Sequence, residues 1–198
     1  MIDSWPLNEA GNKIAGDITH GAWSNPALKK VLHQFGQTAF ARSSACMEFE
    51  AFLVRVGARG RCALEIGTFY GVSAIVLSQY FERVICVTID VAGAKDMKYQ
   101  MVNFLGIKNI DFYDVATNAD KKRLVDSFDF DFAYSDGDHV NDTIDDWNMV
   151  RRCGRVMFHE YWPIQPAVWN LVNSLPQDEV QRAHYDCFAY WERKRTRG

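Results

Sequence analysis

No run of about 18 apolar residues occurs in the 198-residue chain, so no membrane-spanning helix is expected. The opening Met-Ile-Asp-Ser-Trp-Pro has neither a basic nor an apolar region of the kind that marks a secretory signal, and none is expected. Cys-x-x-Cys pairs are absent, and the five cysteines, at 46, 62, 86, 153 and 187, are odd in number. That fits reduced, structural thiols in the cytoplasm, and the length and 48% hydrophobic content exclude a disulfide-stapled mini-protein. Charge of one sign is also lacking. Lys and Arg number 22 against 25 Asp and Glu, for a net charge of −3, which disfavours a general nucleic-acid binder. The one basic stretch, Arg193-Lys194-Arg195-Thr196-Arg197, fits a solvated end. Proline is scarce, with five residues, and neither a repeat nor a low-complexity stretch divides the chain. Gly-x-Gly-x-x-Gly and Gly-Lys-Ser/Thr are missing, which argues against a dinucleotide or nucleoside-triphosphate loop.

What the chain does have is material for a core: 48% of its residues are hydrophobic and 24% charged, which excludes disorder as the main state. Residues 1–58 carry a helical pattern and no strand pattern. Pro26 starts one helix, with Ser24 or Asn25 as cap and Leu28, Val31, Leu32 and Phe35 at helical spacing. A second runs from Ser44 to Val56 and breaks at Gly57-Ala58-Arg59-Gly60. From residue 59 strands and helices alternate. Short apolar strands are expected at 62–66, 84–89, 110–113, 130–134 and 155–158, with helices at 72–81, 95–105, 119–127, 142–151 and 165–175 between and after them. Strands of this apolar, non-alternating kind are buried on both faces, as in a parallel sheet flanked by helices. Residues 180–185 and 188–193 are two residues apart, so they can only form an antiparallel hairpin at the sheet edge.

In such a sheet, ligands bind beyond the carboxyl ends of the strands. The residues there are Glu65-Ile66-Gly67-Thr68-Phe69-Tyr70-Gly71, Asp90, Asp114, Asp136-Gly137-Asp138-His139 and His159-Glu160. Every one of these five ends carries an acid. Gly67 and Gly71 permit a tight turn and close approach of a ligand to the backbone, and the helix that follows aims free N–H groups at it. Asp90 is placed to accept hydrogen bonds from ribose hydroxyls, so the loop suits a nucleoside without a diphosphate.

Residues 61–194 resemble a class I S-adenosylmethionine-dependent methyltransferase. The resemblance rests on Leu64-Glu65-Ile66-Gly67-Thr68-Phe69-Tyr70-Gly71-Val72-Ser73, on Asp90 and on the closing hairpin. Phe132-Ala133-Tyr134-Ser135-Asp136-Gly137-Asp138-His139 and Val156-Met157-Phe158-His159-Glu160 are similar to small metal-dependent O-methyltransferases of the catechol, cephalosporin-hydroxylase-like and macrolide-sugar groups. The resemblance implies an α/β Rossmann-like sheet of order 3-2-1-4-5-7-6, with residues 1–58 as a helical cap or lid and 59–198 as the catalytic unit. It implies methyl transfer from S-adenosylmethionine to a small-molecule hydroxyl, on a sugar, a phenol or a natural product. Cofactor contacts are then expected from Glu65, Gly67, Thr68, Gly71, Ser73 and Asp90, with Asp114 near the adenine. Glu65 and the neighbouring acids would attract the ammonium and sulfonium of such a donor, and would repel a dinucleotide's phosphates.

In the resembling sugar O-methyltransferases, the acid at the Asp136 position binds magnesium and the histidine at the His139 position acts as base. Asp136 and Glu160 close what should be neighbouring strands, so their carboxylates can converge on a divalent cation, Mg2+ or Mn2+. The sequence departs from the pattern at His159, where relatives carry a hard oxygen ligand. A histidine there favours a softer metal, or turns away to hydrogen-bond from a second shell. His139 has the alternative of capping the next helix, and Asp136 of forming a turn. Asp145-Asp146 fits a solvated helix face, and Tyr161, Trp162 and Trp169 fit either a pocket wall or the core. His20, His33 and His184 form no constellation. Rival readings are a metal-independent N-methyltransferase, a hydroxylase-like homologue, and a non-catalytic cofactor-binding subunit. The expected partner is the small acceptor, with neither nucleic acid nor membrane involved; a homodimer is compatible with the sequence.

Overall fold

The computed structural model describes residues 25–35, 47–89, 95–138, 141–183 and 187–194. Asp90, His139, His20, His184 and Cys46 lie outside them, as do residues 44–46 of the expected second helix. The described elements run α1 (Pro26–Phe35), α2 (Met47–Arg55), β1 (Gly60–Ile66), α3 (Val72–Leu77), β2 (Phe81–Ile89), α4 (Lys95–Leu105) and β3 (Ile110–Val115). They continue with α5 (Asn118–Asp126), β4 (Phe132–Ser135), α6 (Thr143–Val150), β5 (Arg155–His159), α7 (Pro166–Ser174), β6 (Val180–Arg182) and β7 (Phe188–Glu192).

The strands form a seven-stranded sheet of order β3-β2-β1-β4-β5-β7-β6. β1 to β5 pair in parallel, and β7 runs antiparallel to both β5 and β6, as the spacing of the last two strands required. Because alternate strand residues face opposite sides, each strand feeds two cores. Ala63, Val84, Cys86, Phe132, Tyr134, Met157 and Phe188 pack with α1 to α4. Leu64, Ile66, Ile85, Val87, Ala133, Val156 and Phe158 pack with α5, α6 and α7. Helices thus change face between β3 and β4, and the strand order reverses between β1 and β4. That reversal opens a crevice at the carboxyl end of the sheet.

Several boundaries differ from the sequence reading. The helix expected to reach Phe81 ends at Leu77, where Ser78 Oγ donates to the Ile75 carbonyl. β2 instead begins at Phe81, whose ring packs on Phe132 at 5.0 Å. Phe81 has an apolar helical spacing, but its burial comes from a sheet neighbour far along the chain. β3 continues through Val115, so Asp114 lies inside a strand, opposite Thr88, and not in the loop after it. Asn141 does not cap α6; its side chain bonds Asp138 Oδ2 at 2.9 Å. Among the described residues no helix is long and apolar enough to cross a membrane.

Asn25 is the cap of α1, accepting from the Ala27 and Leu28 amides at 3.0 and 3.2 Å, and its amide donates to Glu50 Oε1 of α2 at 3.0 Å. We predict that Asn25→Ala lowers stability by about 1 kcal/mol, the usual cost of a lost helix cap. Urea unfolding monitored by circular dichroism checks this, and an unchanged midpoint would show that the cap contributes nothing.

Candidate functional site

The turn after β1 is shaped by two glycines with left-handed backbone, Gly67 at φ 90° and Gly71 at φ 80°. At Gly67 a Cβ would lie 1.9 Å from the Asp136 carbonyl oxygen, so only glycine lets the β1 turn rest on the loop after β4. The Asp136 amide donates to the Ile66 carbonyl at 2.8 Å, and the Gly67 amide to Val87 at 3.0 Å. Gly71 caps α3 without a side-chain bond, its amide reaching the Thr68 carbonyl at 2.8 Å. Between them Phe69 also holds a positive φ, 45°, a strained setting for an aromatic residue.

Beneath the turn, Glu65 is wholly buried, in register with Cys86 on one side and Tyr134 on the other. Ser73 donates its hydroxyl to Glu65 Oε1. The other oxygen, Oε2, and the Thr68 hydroxyl oxygen make no hydrogen bond, although both are buried. Burial pushes the Glu65 carboxyl up to about 6; Ser73, Cys86 and Thr68 soften the rise and Asp136 adds to it. The Cys86 thiol is pushed well up by burial and by Glu65 itself, which keeps it neutral and unreactive.

Across the crevice, Asp136 accepts from the Tyr134 hydroxyl at 3.2 Å through Oδ2 and pairs with His159 Nδ1 at 2.6 Å through Oδ1. An ionised carboxylate only accepts, so this pairing places a proton on Nδ1. Both side chains are mostly buried, at 14% and 16% exposure. The His159 ring lies 5.2 Å from Phe188, which also touches Phe49 of α2 at 5.6 Å; Phe49 in turn packs on Tyr134 at 4.7 Å. The next residue, Glu160, has φ 54°, a local strain at the end of β5.

No protein-family model and no curated protein matches the chain. Solved structures do. A Klebsiella pneumoniae protein described as an O-methyltransferase shares 15% identity over 92% of this chain and 99% of its own, with a TM-score of 0.68. An O-methyltransferase from Bacillus cereus in complex with S-adenosylhomocysteine gives 14%, 92%, 99% and 0.65. An S-adenosylhomocysteine-bound methyltransferase from Podospora anserina gives 13%, 96%, 98% and 0.64. The fold is the class I methyltransferase fold.

Within this methyltransferase fold the expected residues divide into groups. Gly67, Thr68, Gly71, Glu65 and Ser73 come together at one turn, with the Glu65 carboxylate under it and not on its rim. Asp136 and His159 meet directly, while Asp90 and His139 fall outside the described residues. Asp114 is ion-paired with the buried Lys98 of α4. The sequence offered no signal for Lys98, because a lysine on a helix usually faces water. Asp146, expected on a solvated face, is instead 1% exposed and sits 2.6 Å from the buried Lys121 ammonium. Asp146 lies beneath Gly137, where a Cβ would meet its carboxylate at 2.7 Å. Tyr161 belongs to the core, stacked on Trp169 at 4.7 Å.

A divalent cation is not favoured by the donor set. Both Asp136 oxygens already accept from protein groups, and among the described residues no three His, Cys, Asp or Glu side chains converge to hold a metal. Two open surface depressions, one lined by Pro26, Lys30, Gln79 and Asn109, the other by Asp178, Gln181, Glu192 and Lys194, lie at the opposite edge of the sheet, where the parallel strands begin.

Glu65 gives a pH-dependent prediction. Its carboxyl is raised in the folded protein, so the native state binds more protons than the unfolded state between about pH 4.5 and 6. Stability from this group is therefore full below that window and lost as pH rises through it. Replacing Glu65 with Gln should remove the loss, favouring the variant at pH 7 relative to pH 4.5 by about 2 kcal/mol. Urea unfolding at the two pH values checks it; parallel pH dependences for the two proteins would refute it.

Proposed function

We propose that this chain transfers a methyl group from S-adenosylmethionine to a hydroxyl of a small molecule, a sugar, a phenol or another natural-product alcohol. The observation that supports it most is the contact of Gly67 with the Asp136 main chain, which sets a nucleoside-type turn directly against an acid–imidazole pair. Methyl transfer needs that adjacency, because the acceptor oxygen must sit about 3 Å from the methyl carbon as it loses its proton.

S-adenosylmethionine supplies an electrophilic methyl on a positively charged sulfur. The turn fits such a donor: it has a glycine-lined surface, the unpaired Glu65 Oε2 and Thr68 Oγ1 beneath it, and no phosphate-binding pattern. Glu65 is too deeply buried to be the direct ligand its place in the motif suggests. Its charge acts from below the turn, while Gly67, Thr68, Gly71 and Ser73 shape the seat, and Asp90 takes the ribose. Asp136, held by Tyr134, orients His159 through Nδ1 and stabilises an imidazolium there, so proton abstraction falls to an imidazole, that of His159 or that of His139 in the loop sequence after β4. Residues 1–58 act as the cap of the 59–198 catalytic unit, α2 bracing Tyr134 and Phe188 through Phe49. The net charge of −3 and the reduced thiols of Cys62, Cys86 and Cys153 suit a small acceptor in the cytoplasm, in place of nucleic acid or a membrane.

Calorimetric titration tests the donor. S-adenosylhomocysteine should bind the wild type, and Asp90→Ala should bind it at least tenfold more weakly. Binding of ATP or NAD in its place overturns the reading. Metal dependence distinguishes two versions of the acceptor site. With Asp136 engaged by His159, turnover of a phenolic or sugar acceptor should survive EDTA; activity lost to EDTA and restored by Mg2+ or Mn2+ would instead place a cation on Asp136, Glu160 and His159.

A further inference from the structure

A buried cation behind a seat for a cationic donor is an electrostatic liability, and this structure contains one. Lys98 is 1% exposed, and its Cβ lies 3.2 Å from where a Cβ of Gly71 would stand. Its ammonium is 5.3 Å from the Phe112 ring, which closes on Gly71 from the same side. The charge is close enough to act on the Cys86 thiol, the strand neighbour of Glu65. The ion pair with Asp114, itself 10% exposed and near the end of β3, cancels that positive charge. With Lys98 and Asp114 cancelling, the negative charge of Glu65 is left to govern the field under the turn.

We propose that the Lys98–Asp114 pair determines how strongly the site prefers the cationic donor S-adenosylmethionine over its neutral product S-adenosylhomocysteine. This rests on the donor assignment above. Asp114 is, in this role, a partner that masks Lys98, and not a direct contact to the adenine. The two ligands differ by the methyl group and by one positive charge, so damage to shape weakens both, whereas a change of buried charge moves their ratio. Two unit charges about 10 Å apart at an effective dielectric of about 20 alter an equilibrium by roughly tenfold.

The test is the ratio of dissociation constants for the two ligands, measured by calorimetry on the full chain. Asp114→Asn exposes the Lys98 charge and should weaken S-adenosylmethionine about tenfold more than S-adenosylhomocysteine. An isolated buried lysine can shed its proton, so the Lys98→Arg, Asp114→Asn double variant, whose guanidinium stays charged, should show the same shift. Breaking a buried pair is costly, but removing both charges is well tolerated. Lys98→Met with Asp114→Asn should therefore fold and keep the wild-type ratio within about twofold. Equal losses of both ligands in the charged variants, or a ratio moved tenfold in the neutral double variant, overturn the proposal. Failure of the wild type to bind either ligand would instead overturn the donor assignment.

Discussion

A contact between two stretches of main chain holds this site together: the Cα of Gly67 lies against the carbonyl of Asp136, with no room for a side chain between them. The contact exists because β1 and β4 are parallel neighbours whose following helices lie on opposite faces of the sheet. Their loops diverge, and the crevice between them is floored by the two backbones. Most of the chemical groups at this edge stand on β1 or β4 and the turn that follows each. Glu65, Thr68 and Ser73 belong to the first, and Tyr134 and Asp136 to the second, with His159 joining from β5.

Charge is distributed in depth at this edge. Glu65 lies below the turn in the core, held by Ser73, and its ionisation is resisted by burial. Lys98 lies behind Gly71 and is matched by Asp114. Asp136 lies higher, partly open to solvent, and engages an imidazole. Placing charges at different depths gives them different strengths, since a buried charge acts through low-dielectric protein and an exposed one is screened by water. A third buried cluster, Lys121 with Asp142 and Asp146, supports the β4 loop from behind, where Gly137 meets the Asp146 carboxylate.

The sheet was legible because its strands are short, apolar and separated by helices of adequate length, and because the last two are too close for a crossover. The glycine turn was legible for a similar reason: left-handed backbone needs glycine wherever it occurs. Element ends were less so. Phe81 continues a helical apolar spacing, yet it belongs to β2, where Phe132 covers it. Asp114 looked like a loop acid, yet β3 continues past it because Thr88 pairs with it. Asp146 sits on a face that spacing alone assigns to water, and it is inward because Lys121 is there to receive it.

What local chemistry determines here is the alternation of strands and helices, the closing hairpin, the turn that needs Gly67 and Gly71, and the acids at successive strand ends. Those follow from neighbours within a few residues, through backbone sterics and side-chain period. Which acid is buried, which is neutralised and which holds an imidazole was settled only by the tertiary structure. Burial and pairing depend on partners 16 to 25 residues away or more, such as Lys98 for Asp114, His159 for Asp136 and Lys121 for Asp146. A carboxylate's character is set by the dielectric and the counter-charge around it, and neither exists until those distant segments are packed together.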